Sequence, residues 1–205
     1  MMRGGIGEAE VRAALEAAAG ERGRAGGYAL MICLVEGERG LEVVLEVRAA
    51  TLDVQPDEVC LPGGAIEPGE TAQEAAVREA CEELLVEPSQ LEVVGGLGNV
   101  AGPGGAPMEV FVARLTGWEG SFSADEVDRA FTVGLDWLVA TDPEVHIVGA
   151  EPRFGDDFPF ELIPGGRDYP WRFGAHEVPF YRGTDPIIWG ATARVLWRFA
   201  KVLRG

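Results

Sequence analysis

The sequence predicts an α/β or α+β sandwich, and three observations lead there. Apolar runs with strand character interleave with segments of helical period along most of the chain. The 205 residues are 47% hydrophobic, enough for a substantial core in one domain. There is no internal repeat and no linker long enough to separate domains. One domain over residues 1–205 is therefore expected, with an insert at about 151–182 and a closing helix at 185–203.

The elements follow in order. Residues 8–19 place Val11, Leu15 and Ala18 on one side of a helix. Residues 28–49 read as two strands joined by a turn at Gly37–Gly40. "EVCLPGG" is a short strand ending in a Pro-Gly-Gly loop. Thr71 and Glu74 make a Thr-x-x-Glu capping box that starts a helix at Thr71, and Pro88 turns Glu87 away from helix. "LEVVGGL" and "MEVFVARL" are strands separated by the Gly-rich loop "GNVAGPGGAP", and "AFTVGLDWLVA" is a strand running into a short helix. Residues 151–182 are rich in Pro, Gly and aromatics and show no period. The closing helix has Thr184 or Asp185 to cap it and Pro186 in its first turn, with Ile188, Ala191, Val195 and Phe199 on one face.

Charge and composition remove several function classes. A net charge of −17 argues against a duplex nucleic acid partner or an anionic membrane surface. The longest apolar run, "YALMICLV", is too short to span a bilayer, and the N-terminal segment has no apolar signal-peptide core. Cys33, Cys60 and Cys81 are odd in number and sit in apolar segments, which suits buried thiols in a reducing, cytoplasmic setting. His146 and His176, without a CxxC pair, argue against structural zinc. The acidic excess lies within residues 1–150, so a small anionic substrate would need metal ions or local arginines.

"REACEELLV" carries the chemistry. Glu79, Glu82 and Glu83 fall at i, i+3 and i+4 on one helix face, where like charges cost about 0.2–0.5 kcal/mol per pair. Either water solvates all three or a cation sits among them. Hard oxygen ligands, with a backbone carbonyl from the Gly63–Gly64 turn, suit Mg²⁺ or Mn²⁺.

The wider pattern is more specific. Gly64, five residues, Glu70, seven residues, Arg78-Glu79, two residues and Glu82-Glu83 resemble the Nudix box. Leu85 stands where that pattern has glycine, which predicts a helix running a turn further, to the stop at Pro88. The resemblance implies an α/β/α sandwich around a mixed sheet and hydrolysis of a small-molecule diphosphate. It implies Glu79, Glu82, Glu83 and the Gly63 carbonyl as ligands of Mg²⁺ or Mn²⁺, with Glu70 and Arg78 as a bracing ion pair. Glu79 in the box, or Glu126 in "SADEVDRAF" outside it, is the candidate proton acceptor.

Two flanking segments resemble coenzyme A pyrophosphatases. Arg48, Val59, Pro62, Gly63 and Gly64 fit the motif that precedes the box in that subgroup, and "IWGATA" fits its closing helix. Ala49, Asp53, Asp57 and Leu61 depart from it, standing in place of Ser, Arg, Gly and Phe. The resemblance implies cleavage of coenzyme A to 4′-phosphopantetheine and adenosine 3′,5′-bisphosphate, with Arg48, Gly64, Arg167 and Arg172 as substrate contacts. A different X, such as ADP-ribose or a dinucleotide, is the alternative, and a non-catalytic nucleotide-sensing module the third. Asp53 would repel a 3′-phosphate unless Arg153, Arg167, Arg172 or Arg182 offsets it. The aromatics of the insert would pack on the last helix, on a second copy in a homodimer, or against the ligand, and Trp189 and Trp197 read as core or interface.

Overall fold

The computed structural model describes residues 5–18, 27–102, 105–149, 151–171 and 174–205. The chain runs α1 (Glu8–Ala17), β1 (Tyr28–Gly37), β2 (Gly40–Arg48), β3 (Val59–Cys60), β4 (Gly63–Ala65) and α2 (Ala72–Leu84). It continues through β5 (Leu91–Ala101), β6 (Pro107–Leu115), β7 (Val127–Gly134), α3 (Leu135–Ala140), β8 (Glu144–Gly149), β9 (Ala175–Tyr181), β10 (Ile188–Trp189) and α4 (Gly190–Arg204).

Strands β1 to β7 form one mixed sheet, in which β1 pairs parallel with β6 and antiparallel with β2. β1 and β2 stay paired only near their turn, from Leu34↔Val43 to Gly37↔Gly40. Beyond that they splay. β4 takes the same edge of β1 at residues 28–30, and β3 takes the same edge of β2 at residues 46–47. The segment 59–65 is thus wedged between two diverging strands, and the functional cavity opens at this split.

Alternation along the strands sends side chains to both faces. Ile32, Leu34, Val43 and Leu45 face one core with Val11 and Leu15 of α1, Leu138 of α3 and Phe199 of α4. Met31, Cys33, Val35 and Val44 face the other with Ala75, Ala76, Ala80 and Leu84 of α2. The result is an α/β/α sandwich. The small residues on α2 let it lie close to the sheet, which keeps its carboxylates near β4.

Four boundaries differ from the sequence expectation. Gly63 and Gly64 lie in a short strand rather than a loop, because they pair with Leu30 and Ala29. β5 reaches Ala101, since Asn99, Val100 and Ala101 pair with β6. The aperiodic stretch contains β9, which joins β8 and β10 in a separate three-stranded sheet. The closing helix starts at Gly190, not 185, because Ile188 and Trp189 pair with Tyr181 and Phe180. Thr184 accepts from the Ile188 amide at 3.3 Å and so caps the turn before the strand instead of the helix.

The end of α2 is the fifth correction. The helix stops at Leu84, and Leu85 adopts φ 53°, ψ 50°, the left-handed conformation that glycine would take. The amides of Leu85 and Val86 both donate to the Cys81 carbonyl, satisfying the helix end. The Ser121 hydroxyl and the Ser123 amide take the Leu84 and Glu83 carbonyls at 2.7 Å each, and Val86 is buried against α2, so the neighbours' contacts override Leu85's own preference at a cost of about 1–2 kcal/mol. Leu85 is 60% exposed, so little burial offsets that cost. Leu85→Gly is expected to stabilise the fold by about 0.5–1 kcal/mol after the added unfolded-state entropy is subtracted. Thermal unfolding should show a Tm rise of roughly 1–4 °C.

Candidate active site

The site is built on β4, the loop after it and α2. Thr71 caps α2 by accepting from the Glu74 amide, while the Glu74 carboxylate accepts from the Thr71 amide at 2.7 Å. Arg78 then reaches back over the loop. Its Nε and Nη2 donate to the Glu70 carboxylate at 3.2 and 2.9 Å, and Nη2 also donates to the Ala65 carbonyl at 3.1 Å. Nη1 lies 2.8 Å from Glu79 and 3.5 Å from Glu82. One planar fork therefore ties three carboxylates and a carbonyl together.

The two glycines of β4 allow the helix to approach. At Gly63 (φ 151°) an added Cβ would collide with the Ala29 carbonyl and Leu30. At Gly64 it would overlap the Glu79 carboxylate. The Gly63 amide donates to Glu83 at 2.8 Å, holding that buried side chain beneath the strand.

A cavity of about 550 Å³ opens over this unit. Gly63, Gly64, Glu79, Glu83 and Glu126 line it, together with Arg48 and Glu58 from around the β2–β3 connection. Arg48 is the one cationic side chain among these lining residues, and its Nε donates to the Val54 carbonyl at 3.2 Å. The far wall is closed by Trp189 of β10 and by Ala191 and Thr192 of α4, and the Thr192 hydroxyl donates to the Val59 carbonyl at 2.8 Å.

Not all the expected residues meet here. Glu70 and Arg78 brace the loop without lining the cavity, and Glu82 leans toward Arg78. Arg167 lies outside the cavity lining, stacked on Phe160 at 4.3 Å in an aromatic cluster of the insert. Arg172 lies outside the described residues. Arg182 is paired with Glu144 at 2.7 Å. Asp53 is exposed and absent from the lining, although its neighbours Leu52 and Val54 are part of it. Asp57, where the motif has glycine, takes φ 60°, a conformation that Asp tolerates better than most residues. Of the core and interface readings for Trp189, the core one does not hold: it is a wall of the cavity and 42% exposed. Trp197 packs against the core with its indole N–H on Asp142 at 3.1 Å.

The donor set fits a hard divalent cation. No three His, Cys, Asp or Glu side chains among the described residues converge on one point as they stand. Arg78 occupies part of that role by holding Glu79. Burial first, then the charges of Glu79 and Glu126, push the Glu83 carboxyl up to about 8, against the opposing pull of the Gly63 amide. All-oxygen donors of this kind, packed over glycines, suit a hard divalent cation.

Sequence reasoning missed Glu46. It is fully buried on β2, with Oε1 unpartnered and Oε2 3.9 Å from the Cys60 thiol. Burial, and after it the charge of Glu83, hold its carboxyl well above the usual range and favour its neutral form. The signal was present in "VVLEV": strand alternation puts Glu46 on the same face as Val44, which packs against α2.

A carboxyl raised in the folded state favours folding below its unfolded value and loses that contribution as pH rises toward its folded value. Glu46→Gln, which cannot ionise, is expected to flatten the decline in stability above about pH 4.3 and to raise Tm at pH 7 in metal-free buffer. Denaturant unfolding across pH 5–8 checks this; an unchanged pH slope would refute it.

The NUDIX domain family model matches residues 27–148, which span the mixed sheet, α2 and β8. The chain is 31% identical over 188 residues to Nudix hydrolase 22, chloroplastic, of Arabidopsis thaliana, covering 85% of this chain and 54% of that one. It is 32% identical over 133 residues to the peroxisomal coenzyme A diphosphatase NUDT7 of Mus musculus, covering 64% and 56%. It is 33% identical over 115 residues to Nudix hydrolase 3 of Caenorhabditis elegans, covering 54% and 48%. The chain thus spans about half the length of the curated relatives it matches. With the family match covering more than half of its residues, this chain belongs to the NUDIX domain family.

Proposed function

We propose that the protein is a divalent-metal-dependent diphosphatase acting on coenzyme A or a coenzyme A derivative. The observation that carries the reading is the brace: Arg78 holds Glu70, Glu79 and the Ala65 carbonyl beside a cavity lined by Glu79, Glu83 and Glu126. The choice of coenzyme A rests on Arg48, Val59 and the Ile188–Ala193 segment, which meet at that cavity, and on the likeness to a coenzyme A diphosphatase. Three unpaired cysteines suit a reducing, cytoplasmic setting.

Glu79, Glu82, Glu83 and the Gly63 carbonyl would hold Mg²⁺ or Mn²⁺. Such an ion neutralises a diphosphate and lowers the pKa of bound water. The chain's own residues do the rest. Arg48 supplies the fixed positive charge of the wall and orients the anionic substrate. Glu126 takes the proton from the attacking water. Glu79 has its carboxylate engaged by Arg78, whereas Glu126 has no ion-pair partner among the described residues and is free to accept. The Glu70–Arg78 pair keeps the loop seated so that Glu79 stays over Gly64.

Removing charge from the metal site should be severe. Glu79→Gln and Glu83→Gln are each expected to lower kcat at least ~10²-fold with the fold intact. The same substitutions should abolish any rise in Tm that Mg²⁺ or Mn²⁺ produces in the unmodified protein. Steady-state kinetics with coenzyme A, ADP-ribose and diadenosine polyphosphates tests the substrate, and near-normal activity in both variants would rule out this helix as the metal site.

Recognition of the 3′-phosphate is expected to be weak, since among the described residues Arg48 is the only cation that lines the cavity and Asp53 stands nearby in the chain. Coenzyme A and dephospho-coenzyme A should then have kcat/KM values within about tenfold of each other. Asp53→Arg should introduce a preference for coenzyme A of about tenfold through a charge-assisted contact. A strong preference in the unmodified protein, unmoved by Asp53→Arg, would place the phosphate elsewhere.

A further inference from the structure

We infer that Trp189 is the platform on which the planar base of a nucleotide substrate stacks, an inference that rests on the cavity being a nucleotide diphosphate site. Trp189 lines the same cavity as Arg48, Glu79 and Glu83. It is 42% exposed although its neighbour Ile188 is fully buried, so the chain anchors the backbone here and leaves the indole out. The indole is not free to turn. Phe180 stacks on it with ring centroids 5.8 Å apart and planes at 14°. His146 abuts Phe180 edge-on at 5.5 Å. Behind it, pairing of β10 with β9 and the Thr192–Val59 hydrogen bond fix where α4 begins.

An indole held in one plane before any ligand arrives gives up little entropy on binding. A flat π-surface suits a flat partner, and a base stacked on an aromatic side chain needs no charge partner. That last point matters in a cavity whose charged lining is one arginine against Glu58, Glu79, Glu83 and Glu126. Leu30, Leu52, Val54 and Met108 form the aliphatic part of the wall and suit a flexible chain instead. The excursion that makes β8, β9 and β10 thereby gains a role: it carries Phe180 and His146 and so sets the angle of Trp189.

The test uses the full chain with Trp189→Leu, Trp189→Phe and Phe180→Leu, each checked for folding by thermal unfolding. Titration with adenosine 5′-monophosphate and with ribose 5-phosphate in the presence of Mg²⁺ reads binding without turnover, since neither ligand carries a diphosphate. Trp189→Leu should weaken adenosine monophosphate binding roughly tenfold to hundredfold and leave the weak binding of ribose 5-phosphate where it was. Trp189→Phe should keep most of the affinity, and Phe180→Leu should fall between them. With coenzyme A, the Leu variant should lose more in KM than in kcat. Unchanged adenosine monophosphate binding in Trp189→Leu, or equal losses for both ligands, would overturn the inference. If no diphosphate is hydrolysed while base-dependent binding still needs Trp189, the proposed activity fails and the platform stands. Coenzyme A turnover with a KM indifferent to Trp189 would have the opposite meaning.

Discussion

The Arg78 guanidinium is the interaction on which the site depends. It donates to both oxygens of Glu70, to the Ala65 carbonyl and to Glu79, and approaches Glu82. Three carboxylates this close would otherwise repel one another. Lysine could supply the charge but not the fork, since an ammonium is a point charge without fixed donor directions. With the loop drawn onto α2, Glu79 packs over Gly64 and Glu83 receives the Gly63 amide. The position of the strand and the positions of the acids are then a single fact.

A second constraint comes from the sheet. β1 and β2 part after four paired positions, and the segment 59–65 fills the split. Antiparallel pairing elsewhere in the sheet satisfies backbone groups of β2 from Glu42 to Arg48, through β7 on its other edge. The split therefore costs few hydrogen bonds, and it creates a concave surface with a glycine pair at its base. Thr192 of α4 bonds to β3 across this gap. The last helix is thus part of the cavity wall as well as the core.

Charge gives the site its tension. Among the described residues, a chain of net charge −17 places four carboxylates and one arginine around the cavity, buries one of the four, Glu83, and buries Glu46 close to it. Both buried acids are driven toward their neutral forms, and the cause that weighs most is loss of water. An anionic ligand would deepen the repulsion, so binding requires added positive charge. Buried acids that resist ionisation make the site responsive to a cation.

The local elements were largely legible in the sequence. Thr71 and Glu74 capped α2 where the capping box placed them, and spacing alone put Glu79, Glu82 and Glu83 on one face, because helix geometry is a property of neighbours in the chain. Leu85 shows the limit of that reasoning. Its own preference favours a longer helix, and packing imposed the left-handed turn regardless. Contacts between distant segments were beyond local pattern altogether. Nothing near Trp189 in sequence reveals that β9 will draw it into a strand and present it to the cavity. Nothing near Arg167 reveals that Phe160 will hold it away from that cavity. The sequence by itself determined the helices, most strands and the acidic face, through periodicity and caps that act over a few residues. Only the tertiary structure decided that Glu46 is buried beside Cys60, that α4 closes the cavity and that Arg48 lines it, since those depend on which surfaces meet when the sheet splits.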